Sequence, residues 1–241
     1  MSALETVFAA AEPAIAEHLA CIEQYASALH ALGSEPPPAP RWTQDWFPRL
    51  DAAAAYAMVR RFRPRRVVEV GSGHSTRFVA RAVRDGATDS ELTAIDPAPR
   101  ATLDGLAIEL LKTRVQDAGS APFARLAEGD FLMIDSSHKM APGSDVQLLV
   151  DRVLPALPQG TYVHFHDIFL PGNYPPAWAW RRYTEQDAVS ALLARDAYAI
   201  VFASAWILAQ RSHLLENSVI SRLPLVPGAI ESSLWLRKTR A

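Results

Sequence analysis

Two short stretches combine acids with imidazoles. Ile134-Asp135-Ser136-Ser137-His138 closes one apolar run, and His164-Phe165-His166-Asp167 closes another. Carboxylates and imidazoles exchange protons near neutral pH and supply oxygen and nitrogen ligands to divalent ions. If the runs before them are neighbouring parallel strands, Asp135 and Asp167 meet at one rim of a sheet. The chemistry they suit is activation of a hydroxyl. A metal lowers its pKa and orients it, and a nearby base takes the proton. Asp135, His166 and Asp167 are the candidate ligands, and His138 is the candidate base. His164 reads as a hydrogen-bonded core histidine facing away from His166.

A third stretch, Val67-Val68-Glu69-Val70-Gly71-Ser72-Gly73-His74-Ser75-Thr76, runs from an apolar strand through a glycine turn into a helix. Gly71 and Gly73 allow a tight turn and a close approach of backbone to ligand. Glu69 lies within an otherwise apolar strand, where an acid is costly unless paired, and a cationic ligand group would pair it. Ser75 stands where it can cap the helix. The next strand closes on Ile95-Asp96-Pro97, and an acid at that strand end can accept both hydroxyls of a ribose. The dinucleotide fingerprint wants a further glycine where Thr76 stands, and no Gly-Lys-Ser/Thr phosphate loop occurs. A nucleoside with an ammonium-carboxylate end and no phosphates suits these residues better, and S-adenosyl-L-methionine is such a ligand.

Val-Glu-Val-Gly-Ser-Gly followed by Ala-Ile-Asp-Pro resembles motifs one and two of class I S-adenosylmethionine-dependent methyltransferases, with Ser75 where many members carry glycine. The resemblance implies cofactor contacts from Glu69, Gly71, Ser72, Gly73, Ser75, Asp96, Pro97 and Asp135. It also implies contacts from Gln116 and Asp117 beside the adenine. The stretches at Asp135–His138 and His164–Pro171 are similar to a branch containing small-molecule O-methyltransferases and cephalosporin-hydroxylase-like proteins. That branch implies Asp135 and Asp167 as ligands of a divalent metal such as Mg, with His138 as base. Its sugar-tailoring members commonly carry glutamate where this chain has His166.

These groups need a scaffold to position them. Apolar, β-branched runs at Val67–Val70, Leu92–Ile95, Arg114–Gln116, Phe131–Ile134 and Tyr162–Phe165 alternate with helical patterns at Thr76–Arg84, Arg100–Leu111, Pro122–Leu126 and Asp145–Leu154. Such alternation predicts βαβ units on a parallel sheet buried on both faces. A helix near Glu185–Leu193, capped by Thr184, and late strands near Tyr198–Ala203 and Ser233–Leu236 predict an antiparallel pair at the edge. The expected fold is therefore α/β: a Rossmann-like, doubly wound, mostly parallel seven-stranded sheet with an antiparallel edge strand and an N-terminal helical extension.

Residues 1–48 form that extension and its proline-rich linker, and residues 49–241 form the catalytic domain. The extension is a candidate lid, or a contact surface for a homo-oligomer. An alanine-rich helix from Arg49 to Phe62 opens the catalytic domain. The basic run Arg60, Arg61, Arg63, Arg65 and Arg66 reads as a solvated helix end. Trp42 and Trp46 before that helix, and Tyr174 and Trp178 after the fifth strand, are candidate walls of a substrate pocket.

The 241 residues carry a formal charge of -2, which offers no general attraction to nucleic acid or an anionic membrane. The apolar stretch Ala197–Ala209 is too short to span a bilayer. One cysteine, Cys21, precludes an internal disulfide, and a cytoplasmic protein is expected. Together these features predict O-methylation of a small molecule. Two other readings use the same residues: a nucleoside-binding regulatory subunit without turnover, and an oxygenase-like enzyme with iron at Asp135, His166 and Asp167.

Overall fold

The computed structural model describes residues 2–240. Three helices, α1 (Ala3–Ala10), α2 (Glu12–Gln24) and α3 (Ala26–Ala31), lead to α4 (Arg49–Phe62). Ala52 to Ala55 of α4 are fully buried, and their small side chains let neighbouring elements approach closely. Arg63 ends α4 in the left-handed region, and Pro64 disfavours any continuation of the helix. Phe8, Ile15, Ile22 and Leu29 of the first three helices are buried in the common core. His18 sits among them with Nε2 3.1 Å from the Ala54 carbonyl, and burial pushes its pKa down to about 3.

Seven strands follow: β1 (Arg66–Val70), β2 (Glu91–Ile95), β3 (Glu109–Leu111), β4 (Phe131–Ile134), β5 (Tyr162–Phe165), β6 (Tyr198–Ala203) and β7 (Leu234–Lys238). They form one sheet in the order β3-β2-β1-β4-β5-β7-β6. β1 to β5 are mutually parallel, whereas β7 runs antiparallel between β5 and β6. The expected doubly wound sheet is present, with β6 as its edge. Between the strands lie α5 (His74–Gly86), α6 (Ala121–Ala124) and α7 (Asp145–Leu148). α7 continues through a π-helical turn, Leu149–Val153, into α8 (Leu154–Ala156). α9 (Glu185–Ala194), α10 (Ser204–Gln210) and α11 (Val219–Arg222) complete the helices. Among the described residues no helix is long and apolar enough to cross a membrane.

Residues 100–116 depart from expectation. Residues 100–108 are irregular rather than helical, and the third strand is Glu109–Leu111 rather than Arg114–Gln116. The Thr102 carbonyl accepts from the Arg77 guanidinium, at 2.9 Å from Nε and 2.7 Å from Nη2. Asp104-Gly105 then turns the chain, with Gly105 at φ +90°. Arg114–Gln116 instead begin a turn, closed by Asp117 N donating to Arg114 O at 2.9 Å. Gly73 rather than Ser75 is the N-cap of α5; Thr184 is the N-cap residue of α9 as expected, but its hydroxyl accepts from Met140 N at 2.9 Å rather than from the helix.

The ladder runs one residue beyond several strands, and those residues are among the ones the sequence predicts for the site. Gly71 N donates to Ile95 O at 3.0 Å and Asp135 N to Val70 O at 2.9 Å. Asp96 N donates to Leu111 O at 3.1 Å and His166 N to Ile134 O at 2.9 Å.

Candidate cofactor and acceptor site

The glycine turn after β1 is shaped by its neighbour after β4. A Cβ on Gly71, at φ +82°, would lie 1.9 Å from the Asp135 carbonyl oxygen, so no larger residue fits without separating the two strand ends. Glu69 points beneath this turn. Its two carboxylate oxygens accept from the Ser75 and Thr76 hydroxyls, each at 2.5 Å. Thr76 Oγ1 in turn accepts from Gly73 N at 2.9 Å. Burial, only partly offset by these hydroxyls, pushes the Glu69 pKa up to about 7. Neither Glu69 nor Ser75 is in the wall of the cavity that lies above the loop. The expected cationic partner of Glu69 is replaced by two hydroxyls, and both residues brace the loop from below.

Above the loop lies a cavity of about 450 Å³. Gly71, Ser72, Asp96, Pro97, Arg100, Gln116 and Asp135 are in its wall. Asp96 Oδ2 accepts from Ser72 N at 2.6 Å and Ser72 Oγ at 3.0 Å, and its Oδ1 accepts from Ala98 N at 2.8 Å. These bonds hold the carboxylate at the end of β2. Gln116 Nε2 donates to the Gly143 carbonyl at 3.2 Å, which ties the far wall together. Asp117 is outside the wall, contrary to expectation. It accepts from Arg114 Nε at 2.8 Å on the exposed surface. Gly73 packs at the edge, where its Cβ position is 3.6 Å from Arg100 Cβ.

The acids and imidazoles do converge at the rim, in a buried ion cluster. His138, at φ 59°, places Nδ1 2.8 Å from Glu185 Oε2, with Nε2 3.2 Å from Asp135 Oδ1 and 3.5 Å from Asp167 Oδ2. His166 places Nε2 3.1 Å from Asp51 Oδ2, with Nδ1 3.6 Å from Asp135 Oδ1 and 3.4 Å from Asp167 Oδ1. Burial alone would lower both imidazoles. The carboxylates around them outweigh it and raise both pKa values well above the ordinary histidine range. Burial would likewise raise Asp135, but His166 and His138 hold it well below the usual carboxylate range. Asp51 accepts from Ser232 N at 2.9 Å and Ser233 N at 3.0 Å, and it too is held low against burial by His166 and the Ser232 amide. Ser232 Oγ donates to Asp167 Oδ1 at 3.1 Å. Burial pushes Glu185 up, only partly offset by His138.

One ring nitrogen of each imidazole is hydrogen-bonded to a distant acid, His138 Nδ1 to Glu185 and His166 Nε2 to Asp51, while the other nitrogen faces Asp135 and Asp167. The carboxylates around His138 and His166 thus favour the protonated form of each ring. Among the described residues no group of three or more His, Cys, Asp or Glu is arranged to hold a metal ion. Asp135, His166 and Asp167 are arranged as contacts of acid with imidazole rather than as donors around a shared point. His164 is the expected core histidine, with Nε2 2.9 Å from Ser233 Oγ, and burial pushes it down to about 3. It does not face away from His166: residues two apart on a strand share a face, and Phe47 packs on both rings.

The four expected aromatic walls divide. Trp42 is buried structure, packed on Phe78 and donating Nε1 to the Leu29 carbonyl at 3.3 Å. Trp46 is 46% exposed and stacks under the Arg100 guanidinium at 4.3 Å. Tyr174 and Trp178 join Phe169 and Tyr183 in one aromatic layer, and Tyr183 packs on His138 with ring centroids 4.6 Å apart. Gln186 pins that layer. It accepts from Phe169 N at 3.1 Å, and its backbone N–H donates to Tyr174 OH at 3.2 Å.

Asp51, Glu185, Ser232 and Arg100 contact or line the candidate site, and sequence reasoning did not find them. A visible signal exists for Asp51, the one acid in the wholly buried run Leu50–Val59.

Residues 68–168 match the family model of a methyltransferase domain. No curated protein matches the chain by sequence. Among solved structures, the chain is similar to the S-adenosylhomocysteine-bound methyltransferase PaMTH1 of Podospora anserina, at 15% identity. That match covers 92% of this chain and 88% of the other, with a TM-score of 0.51. Cofactor-bound Rv0187 from MTB matches at 13% identity, covering 95% and 91%, with a TM-score of 0.52. The branched-chain polyamine synthase of Thermus thermophilus, in complex with N4-aminopropylspermidine and 5'-methylthioadenosine, matches at 14% identity, covering 90% and 64%, with a TM-score of 0.51. These likenesses establish a shared fold.

Proposed function

We propose that this chain, which carries a class I methyltransferase domain, transfers a methyl group from S-adenosyl-L-methionine to an oxygen of a small molecule. One observation carries the reading. The cavity at the carboxyl ends of β1, β2 and β4 has the Gly71 turn as its floor, Asp96 in its wall, and Asp135 on the side of the ion cluster. S-adenosyl-L-methionine supplies an electrophilic methyl group on a positively charged sulfur. Asp96 suits two ribose hydroxyls, and Gln116 with Val115 suits the edge and face of the adenine.

The chain's own residues must orient an acceptor oxygen and receive its proton. Asp135 faces both the cavity and the cluster. Its Oδ1 is held by His138 and His166, and among the described residues its Oδ2 has no hydrogen-bond partner. A hydroxyl donating to Asp135 Oδ2 would point a lone pair back into the cavity, the alignment that displacement needs. Alkylation acidifies that hydroxyl as it proceeds, so a carboxylate held low still accepts the proton late in the step. His138 and His166 then act as fixed positive charges that keep Asp135 ionised and in place. The aromatic layer of Phe169, Tyr174, Trp178 and Tyr183 lies beside His138, and its apolar surface favours a small apolar or aromatic acceptor.

Calorimetry on chelator-treated protein tests this. S-adenosyl-L-methionine and S-adenosylhomocysteine should both bind below about 1 mM, and methylation of a screened acceptor should persist without added metal. Absence of binding for both nucleosides would end the reading. Activity that returns only with a divalent ion would restore the metal and remove the imidazolium roles.

A further inference from the structure

We infer that Arg100, laid flat on Trp46, is the anion-recognition corner of the cavity and takes the α-carboxylate of the cofactor; this rests on the S-adenosyl-L-methionine reading above. Two cations line the cavity, Arg100 and Arg114. Arg114 is engaged by Asp117 at 2.8 Å, on the Gln116 side. Arg100 is at the other end: its backbone N–H donates to Ser72 O at 3.3 Å and its Cβ lies against Gly73. Among the described residues no carboxylate pairs with its guanidinium. The order along the wall is thus Gln116, Asp96, then Ser72 and Arg100. A nucleoside with its base at Gln116 and its ribose at Asp96 carries its amino-acid end toward Arg100.

The stack with Trp46 gives the guanidinium a fixed plane and leaves its edge free to donate. Trp46 is itself held by a turn from the N-terminal segment. Gln44 Oε1 accepts from Trp46 N at 2.9 Å and from Phe47 N at 2.8 Å, and Gln44 is buried. The segment before α4 therefore contributes to ligand choice through Arg100. The polyamine synthase of similar fold was solved with 5'-methylthioadenosine, a nucleoside without a carboxylate, so the fold does not itself select for that group.

Calorimetry with two nucleosides tests the assignment on the full chain: S-adenosylhomocysteine, and S-adenosyl-3-thiopropylamine, which lacks only the carboxylate. Arg100→Ala should weaken S-adenosylhomocysteine by about 10-fold or more, the effect of losing an exposed charge-assisted hydrogen bond. It should shift the decarboxylated analogue by less than about twofold. Trp46→Ala should reproduce the selective loss in weaker form. Equal losses for both nucleosides, or no loss for S-adenosylhomocysteine, would overturn the role of Arg100. Failure of the unaltered protein to bind either nucleoside would instead overturn the cofactor reading, so the two failures are distinguishable. Arg100 is exposed, and an unchanged melting temperature should confirm an intact fold.

Discussion

Replacing Glu69 by glutamine keeps the side chain's shape but removes an ionisation that the fold opposes. Burial raises the Glu69 pKa from 4.5 to about 7. The folded state therefore holds this proton more tightly than the unfolded chain does. The stability it contributes is fully present below the unfolded value and is lost as pH rises through the folded one. A difference of one pKa unit corresponds to about 1.4 kcal/mol, so the full loss is about 3 kcal/mol. Between about pH 5 and about pH 8 the linkage relation places about 2.5 kcal/mol of it. Glutamine titrates in neither state. Urea unfolding of Glu69→Gln and the unaltered protein across that range should thus show the stability gap shifting by about 2.5 kcal/mol in favour of the variant as pH rises. Two parallel pH profiles would refute the argument, because they would mean that Glu69 ionises as readily folded as unfolded.

Three further outcomes follow from the same geometry. Gly71→Ala should cost about 3 kcal/mol or more in urea unfolding, since the added Cβ meets the Asp135 carbonyl, a backbone atom with little freedom to move; a loss under about 1 kcal/mol would contradict the close approach. Asp96→Ala should weaken S-adenosylhomocysteine binding by about 1–3 kcal/mol through lost hydrogen bonds, measured by calorimetry, and an unchanged dissociation constant would remove Asp96 from the site. Glu185→Gln leaves the His138 imidazolium with one carboxylate fewer at Nδ1. Breaking that buried pair should cost about 3 kcal/mol near neutral pH and lower the His138 pKa in an NMR titration; an unmoved pKa would show that Glu185 does not hold the proton there.

Much of the scaffold was legible because local signals agreed with burial. The runs Phe131–Ile134, Tyr162–Phe165 and Tyr198–Ala203 are strands over those bounds, and Arg49–Phe62 is a helix stopped at Pro64. Residues 100–116 misled for a physical reason. Their apolar positions fit a helix, but a side chain from α5, Arg77, engages the Thr102 carbonyl, and the short β3 gains its ladder from β2. No local pattern reports either contact. At the site, the strand-end residues Gly71, Asp96, Asp135 and Asp167 were readable because a parallel sheet brings its carboxyl ends to one rim. Their partners were not. His166 meets Asp51 across 115 residues of chain, and His138 meets Glu185 across 47.

Those distant partners decide what the rim residues do. Read alone, Asp135, His138, His166 and Asp167 form a set that could hold a cation or supply a free base. Asp51 and Glu185 change that by occupying the outward nitrogen of each imidazole, which leaves the inward nitrogens to face Asp135 and Asp167. An imidazole between carboxylates holds its proton more tightly than a free one does. The cost is burial of four acids and two imidazoliums. The result is an Asp135 carboxylate held low at the edge of the cavity. His166 is backed by Asp51, and Asp51 is in turn held by the Ser232 and Ser233 amides that lead into β7 at the rim.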